Sequence, residues 1–188
     1  QFDSIRKMKD ENQRLKAISE VINRVNPGPG GYYENFGDYK STSRLFKDSN
    51  WKGDPGFLTS KGITFATPLL HLKEDVTEHG NVPLAWISNI FSPYQHPLTI
   101  SYDDLDPTAS YKIRVTYVGF SGGEVKLLAN GRYVIHDFIN IYNKCITIEC
   151  SIPQEAISSG KLNLTWIAKE GGRGVSVAEL WIIKVRNT

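Results

Sequence analysis

Long hydrophobic segments and an excess of charge of one sign are both missing from this sequence. No apolar run approaches the roughly 20 residues that a helix needs to cross a bilayer, and no basic start leads into an apolar leader. The 22 Lys and Arg nearly balance the 20 Asp and Glu, so no long-range field favours nucleic acid or an anionic membrane. We therefore expect no membrane span and no nucleic-acid partner, and we expect any partner to be recognised through local contacts.

Cysteine is scarce and says little about the compartment. Cys145 and Cys150 lie in the alternating run "KCITIECSI", which is typical of a strand. Five residues of strand span roughly 17 Å and point the two sulfurs to opposite faces, so these cysteines cannot pair with each other. Cys150 falls on the predicted core face and is interpreted as a small buried apolar residue.

Established catalytic motifs are also missing. The glycine-rich stretch "GPGGYYENFG" is followed by Asp38 and Tyr39, where a phosphate-binding loop needs a lysine, and no G-x-S-x-G, H-E-x-x-H or paired C-x-x-C occurs. The four histidines are far apart in sequence, which favours surface or hydrogen-bonded roles. The sequence therefore assigns no catalytic residue. It leaves an enzyme open, because two carboxylates from different strands suffice for glycoside cleavage.

A metal site is not indicated clearly either. Asp103, Asp104 and Asp106 cluster in "YDDLDP". An Asp-rich turn before proline is the favoured interpretation over metal binding, because Asp side chains commonly bond the backbone of such turns. Whether the chain binds a metal stays unknown at this point.

The first part of the chain has the pattern of a helix. Ile5, Met8, Leu15, Ile18 and Ile22 recur at helical spacing, which predicts one amphipathic helix from Asp3 to about Val25, capped by Asp3 or Ser4 and stopped by Pro27. Its narrow apolar stripe resembles a coiled-coil seam, so the helix is expected to pack on a neighbouring domain. We expect residues 1–26 to be the end of a preceding region and residues 27–188 to form the domain itself.

Beyond the helix the hydrophobic period changes to two. Turn signals such as Asn130-Gly131 and Gly171-Gly172 separate short alternating runs. The runs are "PLTISY", "YKIRVTYVGF", "EVKLLANG", "RYVIHDF", "KCITIECSI", "KLNLTWIAK" and "VSVAELWIIKV". This series predicts a mainly β protein, an antiparallel β-sandwich or jelly roll. In "YKIRVTYV" the tyrosines, Ile113 and Val115 form the predicted core face, and Lys112, Arg114 and Thr116 form the wet face.

Residues 28–96 are irregular and rich in Gly, Pro, Tyr and Trp, with only "GITFATPLL" and "PLAWISNIF" strand-like. Aromatic faces beside amide and carboxylate groups suit a sugar, whose C–H face stacks on rings while its hydroxyls need directional partners. The same side chains also suit surface cladding of an ordinary sandwich, and this alternative stays open. The candidate ligand-binding residues here are Tyr32, Tyr33, Asn35, Asp38, Trp51, Asp54, Trp86, Tyr94 and His96.

The loop "KEGGRGVS" adds Arg173 to the candidates. Three glycines let the backbone turn sharply and project a guanidinium that could bind vicinal hydroxyls or a carboxylate, although an Arg paired within its own hairpin is the favoured alternative. Glu179 shares a parity with Val177 and Trp181, so a core position would require a partner such as Arg173 or a metal. Trp166 and Trp181 are predicted to be core.

Several stretches together resemble a known family. They are "NPGPGGYYENFGD", "DPGFL", "PLAW", "LDPTASYKIRVTYVG", "LLANG", "IPQEAISSGKLNLTW" and "GRGVSVAELWIIK". In that order they resemble the jelly-roll accessory domain of large secreted bacterial proteins of polysaccharide breakdown, which is similar to the galactose-binding-like fold of many carbohydrate-binding modules. The similarity runs from about residue 26 to residue 184.

The resemblance implies a non-catalytic module of a glycoside hydrolase or polysaccharide lyase, secreted to the periplasm or the cell surface. Its implied partners are a poly- or oligosaccharide and the neighbouring catalytic domain of the same chain. The implied cofactor set is none beyond a structural calcium ion, for which no oxygen-rich cluster here clearly matches. Two alternatives stay open: a structural domain that packs on a catalytic domain without binding sugar, and a catalytic β-sandwich in its own right.

Overall fold

A computed structural model describes residues 2–36, 64–66, 89–94, 97–119, 123–142 and 144–185 of the chain. Within these residues the helices are α1 (Phe2–Arg6) and α2 (Glu11–Asn23). The strands are β1 (Tyr32–Asn35), β2 (Thr64–Ala66), β3 (Asn89–Pro93), β4 (Leu98–Tyr102), β5 (Tyr111–Val118), β6 (Glu124–Ala129), β7 (Tyr133–Asn140), β8 (Cys145–Ile152), β9 (Leu162–Ala168) and β10 (Gly174–Lys184). All seven runs with alternating hydrophobicity contain strands; β2 falls within "GITFATPLL", and β3 overlaps the end of "PLAWISNIF" and continues to Pro93.

The N-terminal helix is shorter than the predicted span from Asp3 to Val25. A single turn, α1, precedes α2, and the break between them is set by Asp10, whose side chain accepts a 2.7 Å bond from the Gln13 N–H. An N-cap residue adopts an extended backbone, so a new helix begins there even though the apolar spacing continues. Neither described helix has the length and apolar character that crossing a bilayer takes.

The strands form two antiparallel sheets. One has the order β2-β3-β10-β5-β8, with β1 also paired to β10, and the other has the order β4-β9-β6-β7. The alternating residues of both sheets meet in one hydrophobic core whose largest fully buried side chain is Trp166. The fold class is therefore confirmed: an antiparallel β-sandwich of the jelly-roll type, preceded by an N-terminal helix.

Strand β5 shows where alternation works and where it fails. Tyr111, Ile113, Val115 and Tyr117 are buried in the core as predicted, but Thr116 on the expected wet face is also fully buried. Its hydroxyl bonds that of Thr147 on β8 at 2.9 Å, so the polar group is satisfied where it is covered.

Strand β10 contains an irregularity that the sequence does not reveal. The pairing with β5 shifts register between Val177 and Glu179, so the core residues run through Val177 and resume at Leu180. The sequence parity places Glu179 on the same face as Val177. Because of the register shift, the two side chains instead lie on opposite faces of the sheet. Glu179 lies on the outer face of the sheet with Trp181.

The direction of β10 defines two ends of the sandwich. Gly174 pairs with Pro93 of β3, and Lys184, at the other end of the strand, pairs with Tyr111 of β5. The described parts of the β5–β6, β7–β8 and β9–β10 connections lie at the Gly174 end. They are residues 119, 123–124, 140–142, 144–145 and 168–173. We call this end of the sandwich the loop end.

Candidate functional site

A cleft of about 430 Å³ opens at the loop end. It is formed where the β5–β6, β7–β8 and β9–β10 connections meet, and its volume suits a small ligand. Its lining residues are Gly123, Glu124, Asn140, Tyr142, Lys169, Glu170, Gly171, Gly172 and Arg173. Of the candidates predicted from sequence, Arg173 lines this cleft.

Tyr94 is held beside Arg173. Its backbone N–H donates to the Arg173 carbonyl at 2.9 Å, and its side chain is 66% exposed. The residue has a φ of +53°, a left-handed conformation that costs a non-glycine residue about 1 kcal/mol or more. The bond to Arg173 therefore holds a strained backbone at the loop end, and the aromatic side chain of this residue is exposed.

Two glycines determine the backbone conformation of the β9–β10 loop, just before Arg173. Gly171 has a φ of +78°, and a Cβ on Gly172 would lie 2.8 Å from the Lys169 carbonyl oxygen. Both positions require glycine for the tight turn. Among the described residues the exposed Arg173 guanidinium makes no ion pair, contrary to the favoured prediction of a salt bridge within its own hairpin.

Tyr142 and Asn140 stand on the opposite connection, between β7 and β8. The Asn140 side-chain oxygen accepts the Tyr142 backbone N–H at 2.9 Å, an Asx turn that fixes the loop. The Tyr142 side chain is 49% exposed. A second aromatic ring is thereby positioned at the cleft.

The base of this loop is packed against β5 at one glycine. The Gly119 N–H donates to the Lys144 carbonyl at 2.7 Å, and a Cβ at Gly119 would lie 1.4 Å from the Ile141 carbonyl oxygen. Only a residue without a side chain allows this approach. Gly119 therefore sets the position of the segment that carries Tyr142.

The charges around the cleft balance. Lys169 forms an ion pair with Glu124, and Glu170 and Arg173 line the same cleft. With equal numbers of acidic and basic side chains, the cleft has no strong attraction for an ion of either sign. Exposed aromatic rings, an amide and paired charges suit a polar, uncharged ligand with hydroxyl groups.

Tyr32, Tyr33 and Asn35 lie elsewhere, on β1. The Tyr32 hydroxyl donates to the Asp103 carbonyl at 2.8 Å, and the Tyr33 hydroxyl donates to Glu179 at 2.8 Å. Asn35 is opposite Glu179 in the β1–β10 register. The structure does not bring these three residues to the loop-end cleft, and their proposed contact with a ligand stays a prediction.

Glu179 is the centre of a second polar cluster. Its carboxylate is fully buried, and the Arg24 guanidinium donates to both of its oxygens, at 2.7 and 3.3 Å. The predicted need for a partner is confirmed, but the partner is Arg24 and not Arg173. Burial, followed by the hydrogen bond to this carboxylate, raises the pKa of the Tyr33 hydroxyl.

Trp181 completes this cluster on the outer face. It is buried as predicted, but under the end of α2 and not in the core between the sheets. Its indole N–H donates to the Arg24 carbonyl at 3.2 Å, and its ring lies 5.0 Å from that of Tyr33. We call Arg24, Tyr33, Glu179 and Trp181 the helix latch, because they join the end of α2 to β10.

Five of the predicted ligand residues lie outside the described part of the chain. They are Asp38, Trp51, Asp54, Trp86 and His96. Their proposed role stays a prediction.

The described residues give little support to catalysis or metal binding. No group of three or more His, Cys, Asp or Glu within them could hold a metal ion. Asp106 accepts bonds from Lys184 and Thr108, which fits the turn interpretation of the Asp cluster. Both cysteines are unpaired, and burial raises the pKa of the Cys145 thiol to about 12, so this thiol is a poor nucleophile near neutral pH.

A second groove, of about 860 Å³, lies at the end of the sandwich away from the loop end. It is lined by Asn23, Asn26, Pro27, Gly28, Pro29, Asp106, Thr108, Ala109, Lys184 and Val185. The turn after α2 thus borders this groove. Exposed aromatic side chains are missing from this lining, so it suits a sugar less well than the loop-end cleft.

Comparison with known proteins gives distant structural likenesses. No protein-family model and no curated protein matches this chain. A GH26-CBM35 β-(1,4)-mannanase of Podospora anserina is 10% identical, with a TM-score of 0.47 over 86% of this chain and 29% of that chain. The ANXUR2 extracellular domain of Arabidopsis thaliana is 12% identical, with a TM-score of 0.47 over 58% of this chain and 36% of that chain.

A family 35 carbohydrate-binding module from an environmental isolate is 12% identical, with a TM-score of 0.37 over 48% of this chain and 66% of that chain. The chain thus spans less than two thirds of each of these three proteins. Likenesses at these TM-scores say nothing about what this chain binds.

Proposed function

We propose that this chain is a non-catalytic carbohydrate-binding domain whose binding site is the loop-end cleft. The supporting observation is the presence of two exposed tyrosines, Tyr94 and Tyr142, at the same end of the sandwich as the exposed Arg173, which makes no ion pair with any described residue. The rings offer stacking faces to a sugar, and Arg173 with Asn140 offers directional hydrogen bonds to its hydroxyls. The balanced charge of the cleft favours a neutral saccharide.

The proposal includes a parent enzyme, a glycoside hydrolase or a polysaccharide lyase of a bacterium, exported to the periplasm or the cell surface. Residues 27–188 would be the binding domain and residues 1–26 the end of a preceding region. A shallow cleft of this kind binds weakly on its own. Tethering to a catalytic domain would convert weak binding into a high local concentration of enzyme on its polymer.

A binding panel with cleft variants tests the proposal. The chain is titrated with galactomannan, xylan, arabinogalactan, polygalacturonate and chondroitin sulfate in isothermal titration calorimetry. We expect binding to at least one neutral polysaccharide and about tenfold weaker binding for Tyr142→Ala and Arg173→Ala, equivalent to about 1.4 kcal/mol each.

Phe138→Ala is the matched control. Phe138 is an exposed aromatic residue on β7 that lies outside the cleft lining, with Lys126 over its ring at 5.7 Å. We expect its loss to leave affinity unchanged. No binding to any member of the panel, or equal losses for the control and the cleft variants, would refute the proposal.

A second candidate function is that of a structural domain that packs on a catalytic domain. The exposed apolar side chains of α2 and the turn after it favour this function. The side chains of Leu15 and Ile22 are 56% and 66% exposed, and Ile18 and Val25 on the same stripe are exposed as well. None of the residues of α2 is buried. An apolar helix stripe of this kind marks an interaction surface.

This alternative predicts concentration-dependent association of the isolated chain, or capture by the catalytic domain encoded beside it. The variant Leu15→Glu with Ile22→Glu should abolish that capture and leave the sandwich folded, because neither side chain packs in the core. Saccharide binding in the panel together with unchanged capture by the double variant would reject the alternative.

A further inference from the structure

The proton positions around His136 are fixed by its neighbours. The Trp166 indole N–H can only donate, and it donates to the Tyr117 hydroxyl oxygen at 2.8 Å. The Tyr117 hydroxyl lies 2.6 Å from Nε2 of His136. The tyrosine oxygen could accept a second hydrogen bond, but Nε2 is the acceptor that the described residues offer to the buried hydroxyl's own hydrogen, so we assign the hydroxyl as donor and Nε2 as acceptor.

The other imidazole nitrogen completes the assignment. Nδ1 of His136 lies 2.8 Å from the backbone carbonyl oxygen of Asp137, which can only accept. Nδ1 therefore carries the hydrogen, and the imidazole is neutral. Trp166, Tyr117, His136 and the Asp137 carbonyl form one directed chain of hydrogen bonds, from the core to the edge strand β7.

This series of hydrogen bonds cannot take up a proton at Nε2 without losing one of its bonds. The hydrogen on Nε2 would leave the Tyr117 hydroxyl hydrogen without its acceptor, and Tyr117 is fully buried. It would also place a positive charge on a side chain that is largely covered. Burial lowers the pKa of His136, an effect that the bond to Asp137 offsets only in part.

The charged and titratable groups around the imidazole do not compensate for that proton. Asp137 on β7 is the nearest carboxylate, and Lys126 on β6 pairs with it at 3.2 Å. The Phe138 N–H and then Lys126 lower the pKa of Asp137, so it stays ionised from pH 5 to pH 7.5. Tyr117 on β5 and Cys150 on β8 stay neutral over this range, because burial raises the pKa of each. Trp166 on β9 does not titrate.

Strand β7 connects this chain of bonds to the cleft. It ends at Asn140, whose side chain holds Tyr142 in its turn, and both residues line the cleft. Strand β7 is an edge strand, paired only with β6 in its sheet, so it has hydrogen bonds to one neighbour and opens more readily than a central strand.

We propose that His136 makes the loop-end cleft sensitive to pH: protonation of Nε2 breaks the bond from Tyr117 and loosens β7, the strand that carries Asn140 and Tyr142. The consequence for ligand binding rests on the function proposed above, whereas the loosening of β7 does not. The open state, in which His136 is solvated, takes up a proton below about pH 6.5, and the closed state resists it. Opening therefore becomes more favourable as the pH falls, with an upper limit of about thirtyfold at pH 5, reached only if the closed state takes up no proton there.

Amide hydrogen exchange of the intact chain, followed by NMR, tests this inference without any ligand. Between pH 7.5 and pH 5, after correction for the intrinsic exchange rate, we expect protection of β7 amides to fall severalfold, by at most about thirtyfold, while β5 and β10 amides change little. In His136→Gln, whose amide oxygen can accept the Tyr117 bond and does not titrate, β7 protection should not depend on pH. A loss of the same size in His136→Gln, or no loss in the unmodified chain, would overturn the proposal.

Imidazole ¹⁵N shifts of the unmodified chain give a second measurement that needs no variant. We expect the tautomer with hydrogen on Nδ1 and a titration of His136 displaced below pH 6.5. Hydrogen on Nε2, or titration at the unperturbed value, would overturn the proposal. Titration with the full polysaccharide panel at pH 7.5 and pH 5 then separates the two proposals: pH-dependent β7 opening without binding to any member refutes the proposed function alone, and pH-independent opening refutes this inference alone.

Discussion

Two clusters of aromatic and charged side chains lie along β10 and its flanks, and they differ in how far their polar groups are satisfied. In the helix latch, the Glu179 carboxylate accepts from both Arg24 and Tyr33, and the Trp181 indole donates to a backbone carbonyl. At the loop end, the rings of Tyr94 and Tyr142 are exposed, and Arg173 has no ion pair within the described residues. One cluster is closed by the protein itself, and the other is open to a ligand.

The two clusters have nearly the same composition, so composition alone does not distinguish a structural contact from a binding site. The difference comes from burial. A buried carboxylate must be paired to be tolerated, whereas an exposed guanidinium is hydrated and has no such requirement. The loop end can therefore keep its polar groups available at little cost in stability.

The largest effect is expected at the base of the loop end. Gly119→Ala would place a Cβ 1.4 Å from the Ile141 carbonyl oxygen, so the segment that carries Tyr142 must move. We expect a loss of about 3 kcal/mol in the free energy of unfolding, measured by urea denaturation, together with loss of saccharide binding.

Gly131→Ala is the control for backbone strain. Gly131 has a φ of +68° but no atom within 4 Å of an added Cβ, so only the left-handed conformation is penalised, by about 1 kcal/mol. Equal losses for the two variants would show that the close approach at Gly119 does not constrain the loop.

The same substitution at the two arginines contrasts the clusters directly. Arg24→Ala removes the guanidinium that pairs with the buried Glu179 carboxylate, and we expect a loss of about 2 kcal/mol in the free energy of unfolding. Arg173→Ala removes an exposed side chain and should cost less than about 0.5 kcal/mol. Saccharide affinity should show the reverse order. If Arg24→Ala is as mild as Arg173→Ala, the helix latch is not a stabilising contact.

A small effect on stability, together with weaker binding, is expected at Tyr94. Glycine adopts the φ of +53° without strain, so Tyr94→Gly should keep the stability within about 1 kcal/mol of the unmodified chain. The loss of the exposed ring should weaken saccharide binding. Clear destabilisation with unchanged affinity would assign the tyrosine a structural role.

The strands were predictable because alternation is a local property of the sequence. The register shift in β10 was not, since the β-bulge near Glu179 depends on pairing with β5 and leaves no signal in β10 itself. The pairing of Arg24 with Glu179 joins residues 155 positions apart, which no local pattern encodes. The break before α2 was visible, because Asp10 is a good N-cap residue, but the continuing apolar spacing favoured one helix.

The candidate site was predictable in part. Tyr94 was identified as an aromatic residue of the irregular part and Arg173 as the charged residue of a glycine-rich loop, and a backbone hydrogen bond joins them. Tyr142 and Asn140 were missed, although the sequence "NIYNK" between two strands is a turn signal with an aromatic residue in it. Strand order determines which connections lie at the same end of the sandwich, and the sequence of a single segment does not determine strand order.

The most direct test of the central claim is a ¹⁵N NMR titration of the chain with a saccharide that binds in the panel. We predict that the shifted amides cluster at Tyr94, Asn140, Tyr142 and Arg173, and that those of Tyr33 and Trp181 in the helix latch do not move. Shifts centred on the helix latch or on the groove beside Pro27, with the loop end unchanged, would contradict the account.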